Sequence, residues 1–212
     1  QSLAVVAFDD GETALVVDRT EVDDDIALSL NEGLGIYVMN DSINDNRVRI
    51  SYDGGRRTIK GVGGQARVIE TGSTWIKVAG CLGIETDGIQ LCYEDASERN
   101  TPARWKSLLQ DRVFVKPEST GPTVRDYACV VRQGKAGTRR VGAGIDRLET
   151  GEHDVRAFRL RSRTGKVITV TNFTRELKSV TVLNRVIEIP PMDTVVLREV
   201  TEQEAIITSP QS

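Results

Sequence analysis

Short runs of β-branched and aliphatic residues recur along the whole chain, each closed within a few positions by Gly, Pro, Asn or Asp. Leu3-Ala-Val-Val-Ala-Phe8 and Thr13-Ala-Leu-Val-Val17 are separated by Asp9-Asp-Gly-Glu, a turn composition that suits a hairpin. Similar runs stand at 36–39, 48–52, 67–70, 75–78, 83–85, 89–93, 113–116 and 127–131, then at 155–160, 167–170, 180–183, 186–189 and 194–197. Runs of this length and spacing predict an all-β chain built as an antiparallel β-sandwich. Helix signals are confined to 23–30 and 101–109, and neither sustains a period of 3.6 residues.

The clearest internal break is Gln133-Gly-Lys-Ala-Gly-Thr-Arg-Arg-Val-Gly-Ala-Gly144, with polar sequence continuing to Asp154. Glycine freedom and solvated bases read as a loop or short linker. The expected organisation is therefore two packed sandwich-like parts, a larger one over 1–145 and a smaller one over 146–212 that ends in a polar tail. In the second part Arg163-Thr-Gly-Lys and Leu183-Asn-Arg-Val are natural turns. Pro190-Pro191 cannot donate ladder hydrogen bonds, so the chain should leave the sheet there and re-enter at Thr194.

At 212 residues the chain is long enough to bury a core without staples. No apolar run approaches the ~20 residues needed to span a bilayer, so no membrane partner is expected. No charged-then-apolar segment opens the chain, and strand-like sequence begins almost at Gln1, as expected for a mature or excised piece of something longer. A net charge of −3 argues against nucleic acid as partner. Its distribution is uneven: residues 9–32 are strongly acidic, whereas 132–166 carry Arg132, Lys135, Arg139, Arg140, Arg147, Arg156, Arg159, Arg161, Arg163 and Lys166. Two solvated faces, two mutually attracting regions, or a basic groove for an anionic polymer such as an acidic polysaccharide are the readings open here. Cys81, Cys92 and Cys129 make no CxxC pair and no disulfide framework; Cys81 and Cys92 flank an expected hairpin and would pair only in an oxidising compartment.

Tests for chemistry return little. The single His153, in Glu152-His-Asp154, reads as a solvated loop residue rather than the base of a triad. Gly61-Val-Gly-Gly64 lacks the Lys-Ser/Thr of a phosphate loop, and no cofactor is implied. Asn40-Asp-Ser-Ile-Asn-Asp-Asn46 lacks the central Gly and terminal Glu of a calcium loop and reads as a turn. Asp18, Asp23, Asp24 and Glu32 are the acids from which a glycosidase pair would be drawn, yet no catalytic residue is assigned. Sugar binding wants flat rings with polar neighbours, and the candidates are Trp105, Tyr37 and Trp75, with Tyr52 weaker. Trp75 lies among Ile76 and Val78, which favours core packing. Asn40-Asp-Ser and Asn172-Phe-Thr match glycosylation sequons, a triplet that arises often by chance.

Val167-Ile-Thr-Val-Thr-Asn-Phe-Thr, Val180-Thr-Val-Leu and Ile187-Glu-Ile-Pro-Pro-Met-Asp-Thr-Val-Val-Leu together resemble the C-terminal β-domain of many glycoside hydrolases. Gly33-Leu-Gly-Ile-Tyr-Val-Met-Asn-Asp and Gly72-Ser-Thr-Trp-Ile-Lys-Val-Ala-Gly-Cys-Leu-Gly-Ile84 resemble β-sandwich segments that accompany polysaccharide hydrolases and lyases. The resemblance covers about half of the chain and carries over no catalytic residue. It implies a non-catalytic module or subunit of a carbohydrate-active enzyme, packing on a catalytic domain or subunit, in contact with polysaccharide, and outside the cytoplasm. The competing expectations are a stand-alone glycan-active enzyme using the N-terminal acids, and a structural or adhesive β protein.

Overall fold

The computed structural model describes residues 2–8, 10–20, 35–39, 47–60, 67–78, 81–95, 110–115, 125–142, 144–163 and 165–199. The chain forms two compact units, Gln1–Gly144 and Ile145–Ser212, each an all-β arrangement of antiparallel sheets. The helix signals at 23–30 and 101–109, the Asn/Asp run at 40–46 and the glycine run at 61–64 lie outside the described residues. No helix among the described residues is long and apolar enough to cross a membrane.

The first unit contains β1 (Ser2–Ala7), β2 (Thr13–Thr20), β3 (Gly35–Met39), β4 (Arg47–Tyr52), β5 (Gly55–Lys60), β6 (Arg67–Ser73), β7 (Trp75–Val78), β8 (Leu82–Thr86), β9 (Leu91–Asp95), β10 (Gln110–Val115) and β11 (Arg125–Gln133). They pair into a seven-stranded sheet, β1-β2-β11-β8-β7-β4-β5, and a four-stranded sheet, β3-β10-β9-β6. Strand residues two apart share a face, so one face of the large sheet presents Val16, Ile50, Ile76, Val78, Ile84 and Cys129. These form one buried cluster with Leu91, Tyr93 and Val113 of the small sheet. That shared core makes the unit a sandwich.

The β1–β2 turn matches its sequence signature: Asp10 Oδ1 accepts from the N–H groups of Glu12 (2.9 Å) and Thr13 (2.8 Å), and Oδ2 from the Thr13 hydroxyl (2.8 Å). An aspartate side chain here does what a strand would otherwise do, satisfying turn donors at the end of a ladder. The chain changes sheet between β6 and β7 and again between β8 and β9, and polar side chains hold both of these corners. Ser73 Oγ accepts from Asp53 N–H (3.0 Å) and Trp75 N–H (3.1 Å) and donates to the Trp75 carbonyl (2.7 Å). Thr86 N–H donates to the Thr74 carbonyl (2.8 Å), and the Thr86 hydroxyl donates to the Ile89 carbonyl. The two corners are thus bonded to each other. Residues 81 and 92 consequently do not flank a hairpin, because β8 and β9 belong to different sheets.

The second unit contains β12 (Ile145–Leu148), β13 (Val155–Ser162), β14 (Gly165–Asn172), β15 (Lys178–Val182), β16 (Arg185–Ile189) and β17 (Thr194–Arg198). The sheet β12-β13-β14-β17 and the hairpin β15-β16 share a core of Val155, Ala157, Ile168, Val170, Val180, Val182, Ile187 and Ile189. The expected exit at Pro190 and re-entry at Thr194 are both present. One polar side chain anchors the crossing. Asn172, with 1% of its surface exposed, ends β14. Its Nδ2 donates to the carbonyls of Glu176 (2.7 Å), Pro190 (3.0 Å) and Ile189 (3.2 Å). Its Oδ1 accepts from the Thr174 N–H (2.9 Å) and hydroxyl (2.8 Å). An amide so engaged is not presented as a glycosylation acceptor in the folded chain.

Two stretches read as loop are ordered. Residues 145–148 form β12, whose alternation of Ile145 and Leu148 around Asp146 and Arg147 is too short and too charged to signal a strand alone. Pairing with β13 supplies the missing stability, aided by Arg147 lying 5.2 Å from the Phe158 ring centroid. Within 133–144 the chain forms a helical turn, Gly134–Gly137, and a 3-10 turn, Thr138–Arg140. Gly137, Thr138 and Val141 are buried, so this segment is part of the first unit's packing and not a solvated linker.

The β15–β16 turn carries a removable strain. Val182 pairs with Arg185, leaving a two-residue loop in which Leu183 and Asn184 both have positive φ, 49° and 62°. This suits the strand twist, but a leucine in the left-handed region costs about 1 kcal/mol and an asparagine much less. Leu183 is also exposed, so no packing is forfeited by changing it. Leu183→Asn is expected to raise stability by about 1 kcal/mol, seen as a higher denaturation midpoint at unchanged slope. An unchanged or lower midpoint would count against the turn geometry.

Candidate functional site

β7 places Ile76 and Val78 in the sandwich core and turns Trp75 and Lys77 to the sheet's other face, where both are partly buried. Trp75 pairs with Glu85 on β8, so ring and carboxylate share that second face. The indole stands over Gly142: a Cβ placed there would lie 3.7 Å from its Nε1 and Cε2 atoms. Buried Glu85 holds the same loop, its Oε1 accepting from Gly144 N–H (2.7 Å) and its Oε2 from Gly142 N–H (3.1 Å). The result is a partly buried flat ring braced by a loop whose backbone a carboxylate has fixed. Such a ring can stack on the C–H face of a sugar, while Glu85 is engaged structurally.

Other acids of this unit are engaged in the same way. Asp87 Oδ1 accepts from Ala128 N–H (2.9 Å), which ties the β8–β9 corner to β11. Asp18 is buried opposite Tyr127 and accepts its hydroxyl at 3.1 Å. Asp23, Asp24 and Glu32 lie outside the described residues. His153 is exposed, as its flanking acids and glycine suggested, with Nδ1 3.3 Å from Asp154 Oδ1. Among the described residues no group of three His, Cys, Asp or Glu is placed to hold a metal ion.

The three cysteines are free thiols. Cys129 sits in the sandwich core, and burial, with Asp87 and Glu85 adding to it, pushes its thiol up to about 12 from the ordinary 9.0. Burial also raises Cys81, which is only partly covered. Because the thiolate is the nucleophile, the native protein at pH 8 is expected to leave Cys129 unlabelled by iodoacetamide while unfolded chain labels it fully. Rapid native labelling of Cys129 would contradict its burial. The same shift has a stability consequence. A thiol with a raised folded pKa contributes stability that is fully present below the unfolded value and lost as pH rises from 9.0 toward about 12. In that window stability falls as pH rises, readable as a falling denaturation midpoint in wild type that Cys129→Ala flattens.

Of the residues chosen for sugar binding, Trp105 lies outside the described residues, and Tyr37 has its backbone in β3, at the edge of the small sheet. Trp75 lies partly buried on the face of β7 away from the Ile76 and Val78 cluster, the face it shares with Lys77. Tyr52, on β4, packs partly against the sandwich core. Sequence reasoning also passed over Asn172 and Glu85 as organising residues; an isolated Asn or Glu at a strand end carries no local signal of the loops it will bind. Comparison with protein-family models, with curated proteins and with solved structures returns no match for this chain.

Proposed function

We propose that the chain is a non-catalytic β-sandwich module or subunit of a carbohydrate-active enzyme, a glycoside hydrolase or polysaccharide lyase, that packs on a catalytic partner and contacts glycan. The observation that carries this reading is how four acids of the first unit, three of them buried, are used. Asp10, Glu85 and Asp87 each accept backbone N–H groups at turns or corners, and Asp18 accepts a tyrosine hydroxyl. A catalytic acid or base needs its oxygens directed at a substrate, whereas these oxygens hold the scaffold together. The Trp75 ring, only partly buried, supports contact with a sugar, and the strand pattern of residues 167–197 supports the carbohydrate-enzyme context.

The test is turnover by the purified chain against a panel of neutral and acidic polysaccharides, reading new reducing ends and the ultraviolet absorbance of unsaturated uronates. No product is expected. Turnover that disappears with a single acid-to-amide substitution would overturn the reading and make the chain an enzyme in its own right.

A further inference from the structure

We infer that β1 is a pairing edge for a second copy of this chain, two β1 strands meeting antiparallel about a two-fold axis at Val5. Among the described strands β1 ends the seven-stranded sheet and pairs only with β2. The Phe8 N–H donates to the Thr13 carbonyl (3.0 Å), which makes these two a hydrogen-bonded pair of the antiparallel ladder. The alternation then bonds Ala4 and Val6 to β2, opposite Val17 and Leu15, and turns the N–H and C=O groups of Leu3, Val5 and Ala7 outward. The side chains of those three residues are exposed, Leu3 at 54% and Val5 at 64%. Val5 stands directly opposite Val16, a residue of the sandwich core, so both lie on the core-side face. The cover that buries Val16 does not reach Val5, and the apolar face runs uncovered to the sheet's edge.

This edge lacks the usual devices that keep sheets apart, which are charge, proline and bulges. Ser2–Ala7 has no charged residue and no proline, and its register with β2 is continuous. At the opposite end of the sheet β5 carries exposed Arg56 and Arg57, a pair that repels a second copy laid beside it. One edge of the sheet is guarded against its own copy, and the other is not.

The strand is also its own complement. The outward groups of Leu3, Val5 and Ala7 are spaced evenly about Val5, so a second β1 can lie antiparallel with Val5 opposite the partner's Val5 and Leu3 opposite the partner's Ala7. Each such pair exchanges two backbone hydrogen bonds. On the core-side face large Leu3 meets small Ala7, on the other face Ala4 meets the partner's Val6, and no rung sets charge against charge. The contact is isologous and closes at two protomers, because each gives up its one unguarded edge. It joins two seven-stranded sheets into one. A contact of one strand on each side falls in the small, weak class of interfaces, so a dissociation constant of about 10–100 μM is expected.

Sedimentation velocity of the full chain, from about 1 to about 500 μM, should show a monomer–dimer equilibrium. Val5→Lys sets like charges opposite each other across the axis and should weaken dimerisation at least about 10-fold. Val5→Glu should do the same, and a mixture of the two variants should recover dimer. Val186→Lys, at an exposed valine of the second unit, should leave the constant within about twofold of wild type. Circular dichroism of each variant separates lost pairing from lost fold. Amide hydrogen exchange of the wild-type chain needs no variant. Raising the concentration through the transition should protect the Leu3, Val5 and Ala7 amides and leave those of Ala4 and Val6, already bonded to β2, unchanged. A monomer at every concentration would overturn the inference and leave the edge to a different protein. Protection of the same three amides in dilute monomer would overturn it in favour of another segment of this chain. Open-ended growth past the dimer, a dimer without that alternation of protection, or a folded Val5→Lys dimer as tight as wild type would each count against it equally.

Discussion

Asn172→Ala is expected to lower the stability of the 145–212 unit by about 3–4 kcal/mol, the largest effect of any single change considered for it. The side chain links the end of β14, the 173–177 turn and the departure from β16 at Pro190 through five hydrogen bonds. Truncation leaves carbonyls and the Thr174 donors without the partner that replaced water, and an unmet buried polar group costs about 1–3 kcal/mol. Chemical denaturation followed by amide exchange in β14–β17 would report it; a loss below about 1 kcal/mol would mean that the crossing is held by something else. Asn172→Asp adds a pH signature. A carboxylate facing three carbonyls has its folded pKa raised above the usual ~3.9, so its deficit is smallest below that value and grows as pH rises through the folded pKa. A variant that became more stable on going from pH 4 to pH 7, relative to wild type, would contradict this arrangement.

Gly83→Ala is expected to cost the first unit about 3 kcal/mol for an opposite reason, too much matter rather than too little. A Cβ on Gly83 would lie 2.0 Å from Cγ2 of Val141, far inside contact distance. Val141 cannot simply withdraw, because Glu85 fixes the backbone N–H of the residue that follows it. Val141→Ala removes the clashing methyls and leaves its Cβ at 3.3 Å from the new atom, a contact that small adjustments relieve. The double variant should therefore be more stable than Gly83→Ala alone, although Val141→Ala by itself removes buried methyls and destabilises. A double-mutant cycle with additive losses would show that the two positions do not meet.

These positions show what can be read locally and what cannot. The turn at Asp9–Glu12, the exits at Arg163–Lys166 and Leu183–Val186 and the interruption at Pro190-Pro191 were legible because each depends on residues within a few positions. Gly and Asn tolerate the conformations tight turns need, and proline lacks the donor a ladder requires. Trp75 was legible as part of a strand but not as to its face, since Ile76 and Val78 behind it and Leu82 and Ile84 on the neighbouring strand surround it with apolar sequence. β12 was missed because four residues, two of them charged, form a strand only when β13 lies alongside. The segment from Gln133 to Gly144 read as linker because glycine and arginine dominate its composition. Its order comes from Glu85, nearly sixty residues earlier in the chain.

By itself the sequence determined an all-β protein and placed nearly all the strands, because strand and turn preferences are set by side-chain branching and backbone freedom over a few residues. The tertiary structure alone decided which sheet each strand joins, which face of β7 is the core, and that Asn172, Glu85 and Gly83 are organising positions. Those outcomes depend on pairing between residues far apart in the chain, where a hydrogen bond or the closeness of Gly83 to Val141 exists only after the register is set. The rung that places Arg161 opposite Lys166 belongs to the second group, since only the β13–β14 register brings these two residues together.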